Sequence, residues 1–294
     1  MIGYIFAVVS SLFFSLYIIP RKVSKQHPIY FSLFVGMGFF LGSLLLYLLK
    51  PLLGFDEILS PVLFWSILAG IIWAAALVLF VKSIDLVGLV RSNQWKNLQG
   101  PIGVILSLVI LIEYAVTNPF FVFLAGVAVF LSAVFFTVPT SPEHVKDKFK
   151  GISLAVVSAL GFGVVTVINK FVTTEVGVYS QQVVWSLSIF FSLLIYIFSK
   201  KELLKNITII NKRDISLGLI AGLLYLGASF FMLQAYKYIP ASVGFTIIQL
   251  NGVWTILIGL FVFREVNIQE HYKRILLGFF FALIGIILLM LGWG

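Results

Sequence analysis

The chain has 294 residues, of which 61% are hydrophobic and only 11% charged, and its mean hydropathy is +1.12. An ordinary soluble domain is roughly half apolar and about a quarter charged, so a soluble fold is excluded. The net charge of +9 does not signal nucleic-acid binding, because the basic residues lie in short loops between apolar segments, and the absence of cysteine excludes a disulfide framework, a thiolate metal site and a catalytic thiol.

A membrane-crossing helix needs about 20 mostly apolar residues. Apolar windows bounded by charges, Pro or Asn predict spans over 2–20, 30–49, 60–82, 89–112 and 118–138, then over 151–170, 179–199, 215–236, 241–263 and 272–293. The segments are too long and too uniformly apolar for barrel strands, which run to about ten alternating residues. The first apolar stretch begins beside Met1 without a basic leader and reads as a mature span rather than a cleaved signal. His27, His144 and His271 all fall in predicted loops, so no metal site is expected.

The two halves resemble each other. Ala7-Val8-Val9-Ser10 recurs as Ala155-Val156-Val157-Ser158, with Lys22 on Lys170. Further on, Ala69-Gly70 matches Ala221-Gly222, Asn97-Leu98-Gln99-Gly100 resembles Gln249-Leu250-Asn251-Gly252, Glu113 falls on Glu265 and Gly126 on Gly278, all at one constant offset. An odd number of helices per copy inverts the second copy in the membrane. The expected fold is therefore an all-α integral membrane protein of ten transmembrane helices in two inverted five-helix repeats. Residues 1–139 form the first, 140–150 a cytoplasmic connector and 151–294 the second.

Most Lys and Arg, including Arg21, Lys22, Lys25, Lys146, Lys148, Lys150 and the run from Lys200 to Arg213, follow odd-numbered spans; the alternate loops carry Lys50, Lys170 and Lys237. By the positive-inside rule both termini face outward, in a plasma-membrane protein. Asn206-Ile207-Thr208 fits a glycosylation pattern but falls on the cytoplasmic side of this topology.

Polar residues inside spans are costly and therefore candidate functional groups. The densest cluster opens the fourth span, where Asn93, Lys96, Asn97 and Gly100 share one helical face and Gly100-Pro101 loosens the backbone. Lys96 lies roughly 10 Å into the span at the usual helical rise, where an ammonium costs about 2.5–3.5 kcal/mol on insertion scales. It either faces substrate or snorkels to headgroups. In the ninth span Gln249 matches Asn97, so two amides would face each other across the repeat axis, either as a site or as interhelical packing. Trp254 and Trp95 adjoin these amides, Trp73 and Tyr225 occupy matching positions in spans three and eight, and Thr166 and Gln181 polarise spans six and seven. The candidate substrate-binding residues are thus Asn93, Lys96, Asn97, Gln249, Trp73, Trp95, Tyr225, Trp254, Gln181 and Thr166.

All carboxylates fall in loops or at span ends, Asp85, Glu113, Glu175 and Glu265 being nearest the membrane. No buried proton carrier is evident, so proton or other ion coupling stays open beside facilitated diffusion. No catalytic constellation and no phosphate-binding glycine loop is visible. An enzyme is not expected, nor any cofactor, and the partners are a small polar metabolite and the lipid bilayer.

Over nearly its whole length the chain resembles the drug/metabolite transporter superfamily, which includes EamA-like transporters. The run Ser83-Ile84-Asp85-Leu86-Val87-Gly88-Leu89-Val90-Arg91-Ser92, with Leu98-Gln99-Gly100, is similar to the glucose/ribose porter family, as are Gln249-Leu250-Asn251-Gly252-Val253 and Phe263-Arg264-Glu265. The resemblance implies alternating access around a cavity lined by helices one, three, four, six, eight and nine. Its implied cargo is a sugar or sugar derivative, the alternative being export of amino acids or related metabolites. Asn93-Gln94-Trp95-Lys96-Asn97 departs from the small, hydroxyl-rich residues such porters carry there. A lysine facing the cavity would favour an anionic group on the substrate.

Overall fold

The computed structural model describes residues 1–17, 19–24, 26–54, 57, 60–87, 89–136, 147–206, 211–262 and 268–293. Every major element is a helix, because hydrocarbon offers no water to satisfy an open backbone. The first half comprises α1 (Ile2–Leu16), the short α2 (Ile19–Val23), α3 (Pro28–Leu49), α4 (Phe64–Val87), α5 (Leu89–Lys96), α6 (Gln99–Ile110) and α7 (Pro119–Phe136). The second comprises α8 (Lys148–Glu175), α9 (Val178–Phe198), the short α10 (Lys201–Asn206), α11 (Lys212–Tyr238), α12 (Ala241–Ile248), α13 (Asn251–Phe261) and α14 (Ile268–Gly292). Among the described residues nine segments are long and apolar enough to cross a membrane, and α6 adds a shorter apolar helix. The chain is a multi-pass membrane protein.

Loop residues start the helices as their chemistry predicts. His27 caps α3, its Nδ1 accepting the Ile29 N–H, with Pro28 at the first position, where no N–H is needed. Asp147 and Asn211 cap α8 and α11 through the N–H groups of Lys150 and Arg213.

The helices pair across the halves: α1 runs along α11, α4 along α8, and α7 along α14, while α3 packs on α9 and α11 and α4 also packs on α9. Glycine sets the closest crossings. A Cβ on Gly222 of α11 would lie 2.4 Å from the Val35 carbonyl oxygen of α3, and a Cβ on the offset-matched Gly70 of α4 would lie 2.5 Å from Ser188 Cβ of α9. Without a hydrophobic drive between helices in lipid, such small-residue contacts let backbones approach and gain dispersion energy.

Two expected spans are not single helices. The fourth is split into α5 and α6 at Asn97-Leu98, and the ninth into α12 and α13 at Gln249-Leu250, the offset-matched pair. The shared face proposed for Asn93, Lys96, Asn97 and Gly100 is thereby interrupted.

Candidate substrate-binding site

The break in the fourth span follows from Pro101, which has no N–H to offer the Asn97 carbonyl. The Gly100 N–H donates to it instead at 3.1 Å, a tighter i to i+3 turn, and regular pairing resumes with Ile102 N–H on the Leu98 carbonyl. The ninth span breaks without proline. There the N–H groups of Leu250 and Val253 bond three residues back, to Ile247 and Leu250, at 3.0 and 2.9 Å.

The two breaks meet. Gln99 Nε2 donates to Gln249 Oε1 at 3.4 Å, and a Cβ on Gly100 would touch Gln249 Cγ at 3.4 Å. Gln249 therefore pairs with Gln99 rather than with Asn97. Asn93 and Asn97 are half-buried beside this contact in sequence.

Helices α1 and α8 brace the broken helices and also reach the centre of the bundle. Ser15 Oγ donates to the Asn251 carbonyl at 2.7 Å, and Trp254 Nε1 donates to Ser11 Oγ at 2.9 Å. In the other half the small Gly163 admits Ile102, whose Cγ2 would lie 2.7 Å from an added Cβ. One residue before Ser15 and Gly163, Phe14 lies edge-on to Tyr225 at 5.6 Å and Phe162 lies edge-on to Trp73 at 6.0 Å. Trp73 and Tyr225 in turn meet each other at 5.5 Å. Tyr225 also touches Tyr17 at 5.3 Å and Phe39 at 5.0 Å. This buried aromatic centre was visible in the sequence as Trp73 and Tyr225, and Gln99 as part of a repeat-matched run; Phe14, Phe162, Ser11 and Ser15 were not singled out. The register of Ala7-Val8-Val9-Ser10 on 155–158, which puts Phe14 on Phe162, is the signal that reaches the two rings.

Lys96 is half-buried at the end of α5, its Nζ 5.6 Å from the Phe80 ring centroid and 5.5 Å from that of Phe162. No carboxylate pairs with it among the described residues. Cation–π contact is worth up to about 2 kcal/mol when desolvated, comparable with the insertion cost. Trp95 stands apart, 40% exposed; the side chains of Arg91 and Gln94 lie outside the described residues.

Gln181 belongs to a second polar group, whereas Thr166 bonds within its own helix. Thr166 Oγ1 donates to the Phe162 carbonyl at 3.2 Å. Gln181 Nε2 donates to the Asn169 carbonyl at 3.0 Å, and Thr173 Oγ1 donates to Gln181 Oε1 at 2.7 Å. Gln182 Nε2 donates to Ser229 Oγ. Asn169 Nδ2, Ser180 Oγ, Gln182 Oε1 and Trp185 Nε1 have no hydrogen-bond partner among the described residues, although all four residues are at most 1% exposed.

Of the carboxylates near the membrane, Glu113 is buried and serves helix architecture. Its oxygens accept the N–H groups of Ala241 at 2.5 Å and Ser242 at 2.9 Å, capping the positive end of α12. Beside it Lys170 Nζ donates to the carbonyls of Tyr236 and, at 3.1 Å, Ile239 at the end of α11. Asp85 and Glu175 are exposed, and Glu265 lies outside the described residues.

A family model described as "Sugar transport protein" matches residues 32–291. The chain belongs to this sugar transport protein family. It is thus a membrane transporter, in keeping with the drug/metabolite transporter resemblance. One solved structure, described only as "Crystal structure of protein", superposes with a TM-score of 0.76 over 98% of this chain and 97% of its own. At 12% identity that likeness shows the fold alone. No curated protein matches the sequence.

Proposed function

We propose that this member of the sugar transport protein family is a secondary transporter that moves a sugar or sugar derivative by alternating access, built as ten spans in two inverted repeats, 1–139 and 151–294, joined by 140–150. The observations that carry the reading are the meeting of two broken helices at Gln99 and Gln249 and the contact of the matched pair Trp73 and Tyr225. Discontinuous helices at mid-membrane are where transporters of inverted-repeat plan bind substrate. Amides suit hydroxyl groups, and aromatic faces suit the apolar face of a sugar ring. The inverted plan is supported by the matched breaks, by the matched crossings at Gly70 and Gly222, and by the matched pairs Phe162 with Trp73 and Phe14 with Tyr225. We place the protein in the plasma membrane with both termini outside, on the distribution of basic residues.

The substrate-binding set is Trp73, Tyr225, Gln249, Asn97, Asn93 and Trp254, extended by Gln99. A second reading, transport of an anionic or zwitterionic metabolite, is favoured by Lys96, whose charge has no carboxylate partner among the described residues. The test is counterflow into proteoliposomes holding the purified chain, with labelled neutral sugars, sugar acids, sugar phosphates and amino acids in parallel. Saturable counterflow of a neutral sugar is the expected result. Counterflow of charged compounds alone overturns it in favour of the second reading.

A further inference from the structure

The polar group between α8, α9 and α11 is unused by the central site, yet it leads there. Helix α9 packs mainly on α3 and α4 and reaches α8 and α11 at few points. Side chains bridge the interval: Asn169 and Thr173 to Gln181, and Gln182 to Ser229. At the inner end, Ser229 Oγ donates to the Tyr225 carbonyl at 2.9 Å and the Trp185 ring lies 6.4 Å from that of Tyr225. At the other end Lys170 ties α8 to the last carbonyls of α11, next to the Glu113 cap on α12.

Two features make this seam more than packing. First, four of its polar atoms are buried without partners, and groups of that kind are normally satisfied by protein or water. Second, α4 does not repeat the polar side chains of α11: the positions that match Ser229 and Tyr236 are Leu77 and Ile84. Interhelical packing common to both halves would not produce that asymmetry. Its orphan atoms are amide, hydroxyl and indole groups, none of them charged.

We propose that this seam is the route by which an uncharged, hydroxyl-rich substrate reaches Tyr225 and Trp73 from the end of the bundle that Lys170 closes. The conformation described here is the closed state of that route, and its opening gives the orphan groups their partners. The route stands on the geometry; the class of its cargo deepens the sugar reading above and rests on it.

The natural chain has no cysteine, so single-cysteine variants report accessibility without background. Ser229→Cys, Thr173→Cys and the matched control Leu77→Cys are reconstituted in vesicles, and a membrane-impermeant methanethiosulfonate is applied to each face in turn. The expected result is reaction at positions 229 and 173 from one face only, at least about tenfold faster than at 77. Adding Lys170→Gln should raise the rate severalfold, and glucose should lower it. Equal rates at 229 and 77, or no response to Lys170→Gln, overturns the route. If the pattern holds but only gluconate or glucose 6-phosphate protects, the route stands and the uncharged cargo is overturned.

Discussion

Trp73 and Tyr225 stand at matching positions in the two halves of the chain and touch ring to ring, with centroids 5.5 Å apart. Matched residues in contact mark where the halves meet, and here both are buried, at 9% and 4% exposure. If this pair is the floor on which a sugar ring rests, its aromatic area contributes to affinity. Trp73→Ala and Tyr225→Ala should each raise the KM for a transported sugar about tenfold or more, the equivalent of about 1.4 kcal/mol. Tyr225→Phe, which keeps the ring contacts, should shift it far less. Initial uptake rates in proteoliposomes are the measurement, and an unchanged KM in both alanine variants sinks the role.

The amide contact between Gln99 and Gln249 separates substrate binding from packing. Interhelical hydrogen bonds in membranes average about 0.6 kcal/mol in double-mutant cycles, so Gln99→Leu, Gln249→Leu and their combination should show only a small coupling in thermal unfolding. Sugar affinity should nevertheless fall severalfold in each single variant. A large stability coupling with unaltered affinity would make the pair structural.

Lys96 decides between the two cargo classes. Its ammonium lies between Phe80 and Phe162, and Phe162 leans on Trp73. Lys96→Gln removes the charge while retaining a polar chain of similar reach. For a neutral sugar the expected change in counterflow is within about threefold. Loss of counterflow confined to anionic compounds, on the order of a hundredfold, would establish the second reading.

Glu113 should matter for stability. Removing its carboxylate leaves the Ala241 and Ser242 N–H groups without their acceptor at a buried helix start, a cost of about 1–3 kcal/mol. Glu113→Ala should accordingly lower the melting temperature of the detergent-purified protein by several degrees. Glu113→Gln, which keeps a carbonyl acceptor, should recover part of it. Indifference of both variants to unfolding would leave the cap without energetic weight.

The orientation is open to a direct check. A reporter active only in the cytoplasm, fused after Gly294, should be inactive if the basic loops set the topology. Activity would turn the proposed orientation over.

What the sequence alone determined is the solvent of this protein and its architecture in outline. Uniformly apolar windows of about 20 residues can lie only in hydrocarbon, and there only as helices, so most span boundaries were legible to within a few residues. His27 was legible as a loop residue because it stands outside the apolar windows. The family's signature runs were legible too. Tertiary structure decided the rest. Hydropathy is blind to a break whose residues stay apolar on either side, so the interruption at Gln249-Leu250, which has no proline, appeared only in the fold. Which amide meets Gln249 depends on how the two broken helices cross, and the contact fell to Gln99, two residues beyond Asn97. Glu113 looked like a helix end of either structural or chemical use. Its burial against the start of α12, far away in sequence, assigned it to the first, because a cap is recognised by where its carboxylate points and not by where it stands in the chain.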